Sequence, residues 1–564
     1  VAAGETPSPE LVAAAGEARF WPVGRASALC SVMVLLLGAT ARLSDRVTVI
    51  GWVRPPLPPD ALENKAREIA QLFAGTDVAD RAHGFVYNDA LLDDFRAYPL
   101  LFSREDLGRG RPPAIFFWFR QSSLPLLPEK RFASMVSVTD PPNTLSGMAL
   151  VLLDPRGRLV LFKAVPPQEK TAGHRDTSTA ALEILKRAQL EPAQLRRIDP
   201  PQWVPPIFAD ERLEWQGTYP ETSVAIRVVA AFCNGKPVYF NIIEPWDVPL
   251  LAHPTARRLE GRDVEKLVWY ILVLTAALLA RRNVRLGRSD WKNALRLAVA
   301  LFFLHVLAWV LQASHTLDVG RELDLFFPAL ADSASTALYY WLIYLALEPY
   351  IRRLWPETLI SWTRLLSGRF NDRVVGQHLL VGIVAGLFWL ILVQLPLALF
   401  QPSAPRAEID SSTTALNALL GARYVVADLV VSVSWGIRCG LHLLLCLLLL
   451  RFLLRNQFVA GTAFVALWTT MLAWENLSFW NIVPIALALA SLVLLLTYDG
   501  LVASVVGLFS LSFLQRFPLT TDVSAWYFGS CLFALGVVAA LGFYGFSTTV
   551  AGRRLFHDPI LANE

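Results

Sequence analysis

His174, Arg175 and Asp176 stand in a row in "AGHRDTSTAALEIL" (172–185). The order His-Arg-Asp belongs to the catalytic loop of protein kinases, where the Asp accepts the proton of the attacking hydroxyl. That chemistry needs partners at fixed spacing: an Asn five residues beyond the Asp to hold a metal ion, and a downstream Asp-Phe-Gly for magnesium. Here the fifth position is Ala181. The position two beyond the Asp, a Lys in Ser/Thr kinases, is Ser178, and no Asp-Phe-Gly follows. "SVAIRVV" (223–229) imitates the lysine strand with Arg227, but it lies on the wrong side of His174 and follows no Gly-rich phosphate loop. The tripeptide therefore reads as helix-start chemistry. Asp176, Thr177, Ser178 and Thr179 offer N-cap oxygens. "TAALEILKRAQL" then places Ala181, Leu182, Ile184 and Leu185 on an apolar stripe, with Lys186 and Arg187 near the last turns.

A second constellation lies in "ADLVVSVSWGIRCGLHLLLC" (427–446), where an apolar run carries Asp428, Arg438 and His442. At about 100° per residue the three point into one quadrant of a helix, with Ser432 nearby. Asp428 and Arg438 are about 15 Å apart along the axis, too far to pair directly. Each needs a partner on another helix or a wet cavity, because an intramembrane charge costs several kcal/mol. Two readings stay open: a ligand or ion site inside a bundle, and an interhelical polar clamp. The clamp is favoured, because no second acidic residue sits centrally in another apolar run.

No His-Glu-x-x-His, P-loop, adjacent glutamate pair or Gly-x-Ser-x-Gly elbow occurs. His83, His174 and His253 lack ligand spacing. The sequence thus offers no catalytic residue, no cofactor site and no metal site.

The elements that carry these residues fall into two regimes. Of 564 residues, 54% are hydrophobic and 17% charged, against about 25% charged in soluble proteins. The deficit is concentrated after residue 260. Residues 1–25 read as a polar linker and 26–43 as a first span of marginal length. Residues 45–262 read as an α+β domain with a largely antiparallel sheet. "ALENKAREIAQLF" has helical spacing and "AIFFWFRQS" reads as a strand. Hairpins are expected around Asp154 to Gly157 and around Asn234-Gly235. Residues 264–546 hold nine further apolar runs, with the boundary near Asp499 the least distinct, and 547–564 form a tail. The loop "RRLWPETLISWTRLLSGRF" (352–370) has Trp355, Leu359, Trp362, Leu366 and Phe370 near helical spacing. It fits a helix in the cytoplasmic interface and also a loop packed under a bundle, readings that do not exclude each other. Five cysteines, four of them in apolar runs, give no disulfide framework. A net charge of +4 without a basic stripe gives no nucleic-acid footprint.

Loop charge sets the expected orientation. With the N-terminus in the cytoplasm, Arg281, Arg282, Arg285, Arg288, Lys292 and Arg296 fall inside, as do Arg352, Arg353, Arg364, Arg369 and Arg373. Asp318, Glu322, Asp324, Asp332, Glu408, Asp410 and Asp522 fall outside. The expectation is a polytopic α-helical membrane protein of ten spans, both termini cytoplasmic, with an extracytoplasmic α+β domain between the first and second spans.

"YLALEPYIRRLWPETLISWTRLLSGRF" (344–370) resembles a stretch in the membrane-embedded C-terminal half of large bacterial transmembrane Ser/Thr protein kinases. "AAGETPSPELVAAAGE" (2–17) resembles the linker after their kinase domain. "GMALVLLDPRGRLVLFKAVPPQ" (147–168) and the "NGKPVYF" hairpin resemble their extracytoplasmic domain. The similarity runs in matching order over essentially the whole chain. The family's cytoplasmic kinase domain precedes these elements and has no counterpart here, so no catalytic residue carries over. The resemblance implies the anchoring and signal-input region of a receptor-like kinase in a bacterial inner membrane, with Val1 following a cut or truncation. Its expected partners are the lipid bilayer, a kinase domain in cis, an extracytoplasmic ligand and a second copy of the chain, and no nucleic acid. The alternative is a transporter or channel, which would need paired polar residues across several spans.

Overall fold

The computed structural model describes residues 21–75, 78–97, 104–129, 135–167, 176–220, 222, 224–247, 261–400, 413–474 and 479–550. The first helix, α1 (Val23–Val47), buries Ala26, Met33, Leu37, Thr40, Ala41 and Ser44 along one face. Val34 and Leu35, on the other face, are exposed. An apolar exposed face on an apolar helix is the pattern of a helix in lipid. The short α2 (Val49–Val53) folds back onto its end. Gly51 permits this, since a Cβ there would lie 2.7 Å from the Asp45 carbonyl oxygen.

An α+β domain follows. Helices α3 (Pro59–Ala74), α4 (Asp89–Ala97), α5 (Arg104–Arg109) and α6 (Thr177–Arg187) accompany strands β1 (Asp80–Tyr87), β2 (Ile115–Ser122), β3 (Ala149–Leu153), β4 (Leu159–Ala164), β5 (Arg196–Ile198), β6 (Glu211–Thr218), β7 (Ala225–Cys233) and β8 (Lys236–Ile243). They form one antiparallel sheet in the order β1-β2-β3-β4-β8-β7-β6-β5. Both expected hairpins are present. Asp154 accepts from the backbone N–H groups of Arg156 and Arg158, and Gly157 takes a φ of 80°. Asn234 and Gly235 have φ of 52° and 72°, the paired left-handed conformation of a two-residue hairpin. One sheet face packs Phe117, Phe162, Val228 and Phe240 against α3 and α6. The other is covered in part by Leu126, Val136, Trp203 and Ile207 from the connecting segments.

The remaining chain is helical: α7 (Gly261–Arg285), α8 (Trp291–Gln312), α9 (Val319–Leu354), α10 (Ile360–Leu366), α11 (Arg373–Phe400), α12 (Ala422–Leu454), α13 (Gln457–Leu472), α14 (Phe479–Leu494), α15 (Gly500–Gln515) and α16 (Phe528–Val550). Each expected apolar run lies on a helix, but among the described residues only seven helical stretches are both long and apolar enough to cross a membrane. The difference from ten has three sources. The α13 helix has only 16 residues, and α9 dilutes its apolar part with Ser333, Ser335, Thr336, Tyr339, Tyr340 and Tyr344. The third source is the stretch Phe479–Gln515, counted as one although the chain doubles back within it. The Trp389 indole donates to Ser491 Oγ at 2.6 Å, and a Cβ on Gly507 would lie 2.9 Å from the same ring. Sixteen helical residues would separate those positions by about 24 Å. The reversal falls at the π-turn Leu495–Asp499 and at Gly500, whose φ is 90°.

Helix α11 runs through the centre of the bundle. A Cβ on Gly382 would lie 2.4 Å from the Ala503 carbonyl oxygen, and one on Gly386 equally close to that of Gly507. Small residues at such crossings let backbones approach, which is how helices gain packing energy in lipid. The loop 352–370 is packed under the bundle rather than lying free. Of its five spaced apolar residues, Trp355, Leu359 and Trp362 are buried, Leu366 is half-buried and Phe370 is exposed.

The two ends of the bundle differ. Arg352 donates to the Arg288 carbonyl at 3.1 Å and Arg296 to that of Leu366 at 3.2 Å, so the two Arg-rich loops meet at one end. The sheet domain sits at the other. Its core includes Leu416, Leu419 and Tyr527 from bundle connections, and the Val136 N–H donates to Ser314 Oγ at 3.1 Å.

Candidate functional site

Helix α12 carries all three singled-out residues, but they do not converge on one site. Asp428 is fully buried, and neither carboxylate oxygen has a hydrogen-bond partner. One turn on, Ser432 is also fully buried with its hydroxyl unpartnered. The charge that acts on Asp428 is Arg516, just past the end of α15, whose Nε is likewise buried and unpartnered. The pair is within electrostatic reach without forming a hydrogen bond.

His442 and Arg438 belong to a different cluster, formed with α8 and α9. His442 is bonded through Nε2 to the Tyr339 hydroxyl at 2.5 Å and through Nδ1 to the Tyr340 hydroxyl at 2.9 Å. His305 on α8 is bonded through Nε2 to Ser434 Oγ at 3.0 Å. Arg438 is half-buried with Nε unpartnered, and its charge reaches His305, Tyr340 and His442. The interhelical clamp is therefore built by His442, Tyr339 and Tyr340, not by an Asp428 or Arg438 ion pair. Sequence reasoning missed His305, Tyr339, Tyr340, Ser434 and Arg516. The signals available were the adjacent Tyr339 and Tyr340 and the lone His305 within mostly apolar runs.

The sheet domain holds its own buried polar cluster, at the end of β8. Glu244 accepts from the Tyr219 hydroxyl at 2.8 Å, Trp246 Nε1 at 2.8 Å and Asn88 Nδ2 at 3.4 Å. Burial pushes its carboxyl up to about 8, against the pull of these three donors. Arg120 on β2 is 1% exposed and donates to the carbonyls of Ser137 and Pro141 and to Asn143 Oδ1. Burial lowers its guanidinium to about 10. Both clusters pin segments to the sheet.

Asp176 does what helix-start chemistry asks. Its carboxylate accepts from the Ser178 and Thr179 N–H groups, both at 3.2 Å, and from the Thr179 hydroxyl at 2.8 Å. These bonds hold the carboxyl below its ordinary value. Ala181, Ile184 and Leu185 are buried. Leu182, expected on the same stripe, is 56% exposed, because 100° steps carry it to the edge of that face. His174, Arg175 and His253 lie outside the described residues. Among those described, no three His, Cys, Asp or Glu side chains group to hold a metal ion.

In comparison with known proteins, the chain matches no family model, no curated protein and no solved structure.

Proposed function

We propose that the chain is the membrane-anchoring and signal-input region of a bacterial receptor-like Ser/Thr protein kinase. It would cross the inner membrane ten times, with the sheet domain outside and both ends in the cytoplasm. The observation that carries this reading is the attachment of α1. Its far end leads to the N-terminal linker. Its near end is tied to the segment that the sheet domain grips. Asp45 accepts from the Thr521 N–H at 2.9 Å, and Trp526 Nε1 donates to the Pro55 carbonyl at 2.8 Å. Adjacent Tyr527 is part of the sheet-domain core. A ligand that favours one placement of the outer domain thus has a short mechanical route to the helix leading to the linker. The meeting of the Arg-rich loops at the end opposite the sheet domain supports the orientation.

The reading frame upstream of Val1 tests the proposal. Continuation into a Gly-rich loop, a strand lysine and a catalytic loop supports it. A frame that closes without them sinks it. A transporter is the second reading, favoured by the buried and unpartnered Asp428 carboxylate.

A further inference from the structure

Arg438 is the middle residue of the 33-residue α12. Each half of that helix is about 24 Å long, while half the hydrocarbon thickness is about 15 Å. On a helix whose two ends overhang the two bilayer surfaces equally, the side chain is too short to reach either headgroup region. A guanidinium does not escape its charge by losing a proton. A charge held there needs a counter-charge or a wet cavity; among the described residues Arg438 forms no ion pair, and its Nε is unpartnered. Its charge reaches His305, Tyr340 and His442, none of them a carboxylate. Both His442 nitrogens are already engaged by tyrosine hydroxyls, and His305 by Ser434. Asp428 lies about 15 Å away along the helix axis and is attended by Arg516. Among the described residues the cluster between α8, α9 and α12 sets the Arg438 charge among histidine, tyrosine and serine side chains, without a carboxylate.

The flank of the cluster is aromatic and apolar. Trp269 on α7 packs against Tyr339 with ring centroids 5.1 Å apart. Trp269, Tyr270 and Leu338 are 43%, 63% and 56% exposed. On helices this apolar, such a face meets acyl chains.

We propose that Arg438 binds a monoanion of the carboxylate class, with His305 and His442 beside it. The guanidinium fork matches two carboxylate oxygens, and the aromatic flank accepts an apolar tail. The anion has two sources, a long-chain acid dissolved in the bilayer or a small water-borne carboxylate. The proposal rests on the charge balance of the bundle and not on the signalling reading, so either stands if the other fails.

The test uses the full chain in nanodiscs of zwitterionic lipid, titrated with dodecanoate, butyrate and methyl dodecanoate, in the native form and as Arg438→Gln. Saturable binding of an acid, weakened at least tenfold in Arg438→Gln, is expected. Saturation by dodecanoate alone assigns the bilayer source, and saturation by butyrate as well assigns the aqueous one. Saturation by neither acid, or equal affinity in the variant, overturns the proposal. Should Arg438→Gln fail to fold, the ester decides on the native chain. Methyl dodecanoate binding as well as the acid overturns the proposal, and failure of the ester to bind where the acid does supports it.

Discussion

Asp45 and Thr521, 476 residues apart, are joined by two hydrogen bonds from the Thr521 amide and hydroxyl to one Asp45 oxygen. Asp45 is buried, so its removal leaves both donors without their acceptor. Asp45→Ala is expected to destabilise the chain by about 2–3 kcal/mol, a range set by hydrogen bonds to a charged group. Asp45→Asn, which keeps an acceptor oxygen, should lose less. Thermal unfolding in detergent measures both. An unchanged melting temperature for Asp45→Ala would show that the link carries no load.

The Glu244 cluster sets a pH dependence for the sheet domain. Its folded carboxyl lies at about 8, above the ordinary 4.5. The folded state therefore holds a proton that the unfolded chain releases. Stability from this group is fully present below about 4.5 and is lost as pH rises through about 8, by several kcal/mol at most. Glu244→Gln should flatten this slope. Trp246, bonded to Glu244 at 2.8 Å, gives the fluorescence readout for urea unfolding between pH 5 and 9. A native chain whose stability is level or rises across that interval would contradict the assignment.

Much of the fold was legible because local chemistry decided it. Asn234-Gly235 and Asp154 to Gly157 are turns whose residues supply the backbone angles, and Asp176 supplies its own helix cap. The reversal between α14 and α15 was the least distinct boundary in the sequence, and the structure places it at Gly500, whose φ is 90°. The candidate site was less legible. A helical wheel places Asp428, Arg438 and His442 in one quadrant, yet the bundle surrounds them with different neighbours along the axis. Arg516 stands near Asp428, and Tyr339 and Tyr340 hold His442. Those partners lie about a hundred residues away in sequence, beyond any spacing rule. The grip of the sheet-domain core on Leu416, Leu419 and Tyr527 was hidden for the same reason.

The clamp makes a prediction of its own. His442→Leu leaves the Tyr339 and Tyr340 hydroxyls without their partner. In membrane proteins such bonds average about 0.6 kcal/mol and reach about 1.7 kcal/mol, so a loss of about 1–3 kcal/mol is expected. Adding Tyr339→Phe and Tyr340→Phe should restore part of it, because the stranded hydroxyls go as well. The measurement is a mutant cycle on unfolding in mixed micelles. Strict additivity of the three changes would mean the groups are neighbours without coupling.

The last prediction fixes the side of the membrane on which the sheet domain lies. Ser178 follows the Asp176 cap at the start of α6, within that domain. With α1 as one crossing and the Arg-rich loops in the cytoplasm, Ser178 belongs outside. A cysteine is placed there in a Cys233→Ser background. The other four cysteines, Cys30, Cys439, Cys446 and Cys531, are buried or half-buried on the apolar helices. Intact spheroplasts are then treated with a membrane-impermeant thiol reagent. Labelling of Ser178→Cys without lysis, above the level of the Cys233→Ser parent, is the expected outcome. It would also separate Asp176 from cytoplasmic ATP and so from any phosphoryl transfer. Labelling only after lysis would invert the domain, place the Arg-rich end of the bundle outside, and require α1 to be something other than a span.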